Sequence, residues 1–530
     1  MAIVFESVQL PFDELPPWLE ELLRKFQDLK EDHQRLKEEL ARLQGRKGVP
    51  KLPPSKLEKS KRAHDSSKSK QRRPREGRRV RKQETVEVEP EDVPEGSQSK
   101  GYVTYHVQEL RIEALEITFR LKRYLTPDGK LVCGKLPPGF VHGHFGPELI
   151  AHCLQLYHGG RMTEPALLEH LTEQGIDISS GKLNQLLTES ANLFAEELEA
   201  TVKAGKVASS HLNADDTGAR HAGQNGVCTC LSSPLFCYFF SSESKSRMNF
   251  LKVLRGTYED CVLDERALLY AFERGASQGA LDRLDAELDA KGERVFRSGK
   301  SWERFLKRLG IVGKNDMRIL SEAVLLSSAL SHGLPEGISI VTDAAAQFLV
   351  FATHAFCWIH EERHYRKLVP ISEHEREALE KVRGQIWDFY ASLKEYAKAP
   401  THERKTALQA EFEVLFNRSG VTAAIDALLA NTYSRKNGLL QILDRPYVPP
   451  HNNDCERDIR MYVMRRKVSG GTRSDQGRKA RDVFLSLKKT TLKLGVDFFG
   501  YLRDRIAGLW QIPPLQTILW RRARAGPCSA

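Results

Sequence analysis

Residues 46–82 hold sixteen Lys and Arg against Glu58, Asp65 and Glu76, a local charge of +13 with hardly any aromatic content. Residues 84–95 follow with six acids and no base. A segment of this kind cannot bury enough apolar surface to offset its ordering entropy. Residues 46–100 are therefore expected to be a disordered linker, basic then acidic, that can slide on phosphate backbone. The plainer alternative is a linker that only keeps the chain in solution. Either way the chain cannot be one continuous fold: a short N-terminal piece is separated from a large body. The linker also accounts for the charge balance. The overall +11 falls to −2 once its +13 is set aside, so a sequence pI near 9.1 describes the linker more than the body.

On the N-terminal side, residues 19–43 repeat Leu19, Leu22, Phe26, Leu29, His33, Leu36, Leu40 and Leu43 at alternating spacings of three and four. That is the a/d seam of a coiled coil, and residues 1–45 are expected to form a helix that pairs protomers. A single amphipathic helix docked on its own domain is the alternative. Residues 101–145 read as a small β-rich region with a turn at TPDGK (126–130). Residues 146–205 read as helical. Pro147 opens one helix, Thr163 caps a second, Gly175 breaks it, and Ser179 or Ser180 caps a third. Helix, glycine turn and capped helix outline a helix-turn-helix, whose outer face would offer Lys182, Asn184, Gln185 and Thr188 to a DNA groove. Short helical hairpins are also common in proteins that never touch DNA.

Beyond residue 206 the pattern is mixed α/β. HLNADD (211–216) reads as a strand ending in two acids, and VCTCL (227–231) and LFCYFF (235–240) read as further strands. ISIVTD (338–343) is another short apolar strand ending in an acid, and the rest to residue 505 is mostly helix. Asp215 and Asp343 thus stand at strand ends. Glu456 lies in NNDCERDIR, at the start of a helix entered from a Pro-rich loop. Three carboxylates meeting at one place could not all stay ionised without a cation between them. Magnesium prefers oxygen ligands and is held by few carboxylates together with phosphate oxygens. Two such ions would clamp the attacking and leaving oxygens of a phosphoryl displacement. Residues 457–493 carry twelve Lys and Arg against three Asp, interleaved with apolar residues, so Arg457, Arg460, Arg466 and Lys467 are candidate phosphate contacts. Taken singly, each acid reads equally well as a turn residue or helix cap. Asp216 rivals Asp215, and Asp264 in CVLDERALLY rivals Asp343.

At these residues the chain resembles the insertion-sequence-66 transposases of bacterial mobile elements, over roughly residues 100–505. NADDTG (213–218) is similar to that family's first acidic signature. VTD (341–343) with HAFCWIHEERHYRKL (354–368) is similar to its second aspartate and Cys-Trp-x-His segment. HNNDCERDIRMYVMRRKVSGGTRSDQG (451–477) is similar to its asparagine-rich third signature. The resemblance implies an RNase H-like core within 206–505, with helical insertions near 258–335 and 366–445. It implies a catalytic, metal-binding Asp215, Asp343 and Glu456 that cut DNA and join 3′-hydroxyl ends to a target. Asp216, His360, Arg363 and Asn453 would support the site.

The expected cofactor is Mg²⁺ or Mn²⁺, as two ions. No zinc is expected, since residues 101–145 contain only Cys133 and no pair has ligand spacing. Expected partners are element ends and target DNA, a second copy of the chain at least, and accessory proteins of the same element. No apolar run is long enough to span a membrane and no secretory leader is evident, so a cytoplasmic, nucleoid-associated protein is expected. Nine scattered cysteines agree with a reducing compartment. Two further readings are a non-catalytic DNA-binding relative and a nuclease of the same fold that never joins ends.

Overall fold

The computed structural model describes residues 2–5, 8–11, 85–88, 94, 97–98, 102–104, 106–107, 110, 112–140, 144–350, 354–370 and 372–525. The 19–43 heptad and most of the 46–100 linker lie outside the described residues. The chain divides into two units, Met1–Val107 and Gln108–Ala530. In the first, β1 (Ala2–Phe5) and β2 (Val8–Pro11) form an antiparallel hairpin ahead of the heptad.

The second unit opens with a hairpin of β3 (Arg123–Leu125) and β4 (Leu131–Cys133) around the TPDGK turn, closed by Thr126 N–H donating to the Lys130 carbonyl at 2.9 Å. Only these two short strands form among described residues 112–140, less β structure than the residue types there promise. Helices α1 (Pro147–Leu154), α2 (Glu164–Glu173), α3 (Ser180–Glu189) and α4 (Ala191–Ala208) follow. Thr163 and Ser179 cap α2 and α3 by accepting from the third helical N–H, at 3.4 and 3.2 Å.

The central sheet has the order β11 (His354–Phe356), β10 (Ser339–Thr342), β5 (His211–His221), β6 (Gln224–Ser232), β7 (Cys237–Ser242). Strands β5 (His211–His221), β6 (Gln224–Ser232) and β7 (Cys237–Ser242) form an antiparallel meander. Ala222 and Gly223 make the two-residue β5–β6 turn with φ of 47° and 82°. Positive φ at both positions matches the right-handed twist of the strands, and glycine adopts it without strain. Strand β10 (Ser339–Thr342) then joins parallel to β5, and β11 (His354–Phe356) parallel to β10.

The gap between the two acid-bearing strands is filled mainly by helices: α5 (Arg247–Arg255), α6 (Glu265–Glu273), α7 (Gln278–Lys291), α8 (Gly299–Arg308) and α9 (Lys314–Ser331). A small ladder of β8 (Cys261–Leu263) and β9 (Arg294–Phe296) lies among them. After β11 come α10 (Trp358–Lys367), α11 (Glu373–Lys398), α12 (His402–Phe416), α13 (Ala423–Ser434), α14 (Lys436–Leu439) and α15 (Gln441–Asp444). These pack around Trp358, Phe389, Phe412 and Phe416 as an apolar core of their own.

Helices α16 (Asn453–Ser469) and α17 (Asp475–Lys493) return to the sheet. Helix α17 covers the β7 edge. Its Asp482, Ser486 and Thr490, spaced four apart on one helix face, accept from the N–H groups of Ser241, Phe239 and Cys237 at 2.8, 2.9 and 3.1 Å. An edge that would otherwise present bare donors is thereby closed. Cys228, Cys230 and Cys455 fill the apolar layer between sheet and helices. Helices α18 (Phe498–Ile506) and α19 (Leu515–Arg524) complete the unit. Leu515 and Leu519 of α19 are buried in the main core.

Candidate active site

The expectation that the 211–216 strand ends at its acids is also corrected. β5 runs on to His221, so Asp215 and Asp216 lie mid-strand. The reason is pairing beyond the reach of β10. The meander partner β6 accompanies β5 from Asn213 to His221. On the other edge, Thr472 takes over past the acids, donating to the Arg220 carbonyl at 2.9 Å and accepting from Ala222 N–H at 2.8 Å. Strand β10 pairs with β5 only over Ser339–His211, Ile340–Leu212 and Val341–Asn213. Continued by two positions, that parallel register sets Asp343 level with Asp215, at the place where β10 stops. Ala344 turns the chain away at once, with a left-handed φ of 66°. The Asp343 carboxylate accepts from Ala345 N–H at 3.1 Å.

Alternation along β5 sends Asp216 to the other face, where Lys245 Nζ lies 2.5 Å from one oxygen and Gln347 donates to the other at 2.6 Å. Asp264 is engaged elsewhere. It caps α6 by accepting from Ala267 N–H at 3.0 Å, pairs with Arg266 at 2.5 Å and accepts from Ser327.

Glu456 is delivered by the first turn of α16, and that turn is pinned by asparagines. The buried Asn452 amide donates to the Ala214 carbonyl at 2.8 Å and accepts from the Asn213 amide at 2.9 Å. Its backbone N–H donates to Cys357 Sγ at 3.2 Å. Cys357 N–H in turn donates to the carbonyl of Thr342, the last residue of β10, at 2.9 Å. The strand with Asp215, the strand preceding Asp343 and the helix with Glu456 are thus joined through Asn452 and Cys357. Neither residue, nor Asn213, stands out among the sequence candidates. The available signal was a pair of buried amides, in NADD and HNND, each needing several hydrogen-bond partners.

On α10, His360 and Arg363 share a face directed at Glu456. Arg363 donates to Glu456 Oε2 at 3.3 Å and to His360 Nε2 at 2.9 Å, while His360 Nδ1 is 3.6 Å from Glu456 Oε1. Glu456 Oε1 and His360 Nδ1 are buried without a hydrogen-bond partner. Burial, then the Arg363 charge, lowers the His360 pKa. Burial pushes the Asp215 carboxyl up to about 7, and the charges of Asp343, Asp216 and Glu456 act in the same direction against one backbone hydrogen bond from Asp216. Potential ligand atoms of Cys357, His360 and Glu456 lie within 4.8 Å of one another. Neither Asp215 nor Asp343 belongs to that set, and Glu456 is held by Arg363.

The remaining candidates lie around this group. Arg457 is exposed and pairs with Asp454, Arg460 and Lys467 are exposed, and Asn453 is the half-buried first residue of α16. Arg466 is held on β5, donating to the Gly218 carbonyl and to Thr217 Oγ1. On α3, Lys182 donates to Gln185, Gln185 to Glu189, and Asn184 to Glu164. The α2–α3 pair carries Glu164, Glu169, Glu173, Asp177 and Glu189 against Lys182, a balance that repels phosphate.

The chain is a mixed α/β protein with half-buried carboxylates on and beside a mixed sheet. The family model described as transposase IS66 family matches residues 339–480, which include Asp343, Cys357, His360, Asn452 and Glu456. The uncharacterized protein y4jO of Sinorhizobium fredii (strain NBRC 101917 / NGR234) is 38% identical over 323 residues, covering 60% of this chain and 99% of that protein. The chain belongs to the IS66 transposase family. Membership supports a transposase function and implies DNA as a partner. Among the described residues no helix is long and apolar enough to cross a membrane.

Proposed function

We propose that this chain cleaves DNA strands and transfers their 3′-hydroxyl ends, using Asp215, Asp343 and Glu456 to hold divalent metal. The observation that carries the reading is the joint placement of the acids: two level on adjacent parallel strands, the third on a helix pinned to the same strand. A three-stranded meander extended by two parallel strands at its first strand supports an RNase H-like core.

The donor set suits a hard cation. It consists of carboxylate oxygens, one of them buried without a hydrogen bond, around an Asp215 that resists ionisation in the absence of compensating charge. Magnesium or manganese bound there would neutralise charge developing on the attacking and leaving oxygens. The chain's own residues do the rest. Asp215, held protonated up to about pH 7 by burial and the neighbouring acids, would give up its proton on holding a cation. Asn452 and Asn213 fix the height of α16 over β5. Glu456 would have to leave Arg363 to join the aspartates in holding the ion, which would free Arg363 for phosphate. Arg460 and Lys467, exposed further along α16, hold the DNA backbone, while Arg466 keeps α16 on β5.

Strand cleavage and strand transfer on DNA carrying the element ends, with Mg²⁺, test this reading. Asp215→Ala, Asp343→Ala and Glu456→Ala should each abolish both products, and retained activity in all three would refute it. The clasp of Arg363 and His360 on Glu456 favours one alternative, a DNA-binding protein without catalysis. That protein would shift the same DNA on a gel and cut none of it.

A further inference from the structure

A second site lies apart from the acids, between α4, the outer strand β7, the end of α5 and the start of α17. It is a cleft of about 530 Å³, within the usual size range for small-molecule sites. Leu198, Val202, Tyr238, Phe240 and Tyr258 give it apolar and aromatic walls.

Its charges are unusual. Lys206 is 2% exposed and Arg255 is 8% exposed, and both line the cleft. Buried cations normally carry a carboxylate partner, yet neither makes an ion pair among the described residues. Lys206 spends one of its three N–H donors on the Leu254 carbonyl at 2.7 Å. Arg255 donates through one Nη to the Asp260 carbonyl at 2.6 Å, and its Nε has no partner. Lys203, one turn before Lys206 on α4, adds a third positive charge at the same wall, with its ammonium 3.3 Å from the Tyr258 hydroxyl. Of the carboxylates on the lining, Asp475 pairs with Arg478, Glu199 accepts from the Thr257 hydroxyl, and burial pushes Asp482, which accepts from Ser241, up to about 7. With Glu199 and Asp482 counted against Lys203, Lys206, Arg255 and Lys479, the lining still carries net positive charge.

We propose that this cleft binds a nucleoside monophosphate, its phosphate on Lys203, Lys206 and Arg255 and its base against Tyr238 and Phe240. The phosphate supplies the missing anion, and a ring of base size fits the aromatic walls. The same chemistry is available from a free nucleotide or from an unpaired nucleotide swung out of a DNA strand. The inference does not depend on the metal-binding reading of the three acids.

Equilibrium binding to the full-length chain is the test, with fluorescently labelled dAMP as one probe and a DNA duplex carrying one unpaired 2-aminopurine as the other. Each is measured with wild type, Lys206→Met, Arg255→Met and the surface variant Lys203→Glu, with thermal melting to verify folding. Lys203→Glu reverses a charge at an exposed position, so it reads the site even if a buried variant misfolds. Labelled dAMP binding that weakens at least tenfold in Lys203→Glu supports the site with a free nucleotide as ligand. A 2-aminopurine signal that is lost in Lys203→Glu, without dAMP binding, supports the site with a DNA strand as the source. Neither probe binding, or both binding equally to wild type and Lys203→Glu, overturns the proposal.

Discussion

The side-chain amide of Asn213 donates to the amide oxygen of Asn452 at 2.9 Å, joining positions 239 residues apart. Asn213 lies two residues before Asp215 on β5. Asn452 lies four residues before Glu456, whose N–H donates to the Asn452 carbonyl at 3.1 Å. One buried contact therefore sets the height at which Glu456 faces the strand of Asp215.

Replacing Asn452 by Ala removes both amide hydrogen bonds and leaves the Ala214 carbonyl and the Asn213 amide unpaired inside the protein. The expected cost is about 2–4 kcal/mol of stability. Asn452→Asp should be worse, because an acceptor would face the Ala214 carbonyl and a charge would be buried. Urea unfolding of the three proteins checks the order, wild type above Ala above Asp.

Asp215 gives stability a pH dependence of unusual sign. Burial holds its carboxyl up to about 7, above the ordinary aspartate value of 3.8, so the folded protein holds this proton over a range where the unfolded chain has lost it. Stability from this group is greatest below the unfolded value, falls as pH rises towards 7, and stays low above it. Asp215→Asn removes the dependence. The melting temperature of this variant relative to wild type should therefore rise between pH 4 and pH 8 in metal-free buffer.

Arg363 pairs with Glu456 while partly exposed, so the pair contributes little to stability, on the order of 0–1 kcal/mol. Arg363→Gln should leave urea unfolding almost unchanged. It should also lower the Mn²⁺ concentration needed for half-saturation in the absence of DNA, because Glu456 no longer has a competing cation. Calorimetric titration with Mn²⁺ reads that shift.

Ala344 occupies the left-handed region, where a Cβ costs about 1–2 kcal/mol. Ala344→Gly removes that cost at the expense of added freedom in the unfolded chain. A gain of about 0.5–1 kcal/mol is expected, read as a higher urea midpoint with an unchanged slope.

Arg460 and Lys467 are exposed along α16. If both meet phosphates, the double Ala variant should bind DNA more weakly, and its salt dependence should be shallower by roughly 1.8 in the slope of log K against log salt. An unchanged slope would move the DNA path off this helix.

Much of this site was legible along the chain because its parts are local. Short strand patterns carrying Asp215 and Asp343, and a helix starting beside Glu456, span four to eight residues each. Caps such as Thr163 and Ser179 were equally plain, being decided by the next three residues. Partner choice was harder to read. Nothing in HLNADD reveals that β6 and the Thr472 loop carry β5 on to His221, because the pairing partners lie outside the strand's own residues. The roles of Asn213, Cys357 and Asn452 were hidden for the same reason, each being defined by contacts across long sequence separations. The helix formed by Leu515–Arg524 depends on the apolar surface of α4. Asp264 was ambiguous because strand-end acid and helix cap describe the same residue until its partners, Ala267 and Arg266, are seen.

Iron(II) in place of magnesium, with ascorbate and peroxide, cuts the polypeptide beside the bound ion, and mapping those cuts tests the shared metal most directly. The account predicts fragments ending near residues 215, 343 and 456 together, all suppressed by excess Mg²⁺ and all lost in Asp215→Asn. Cuts confined to the neighbourhood of Cys357 and His360, or none at 215 and 343, would contradict it.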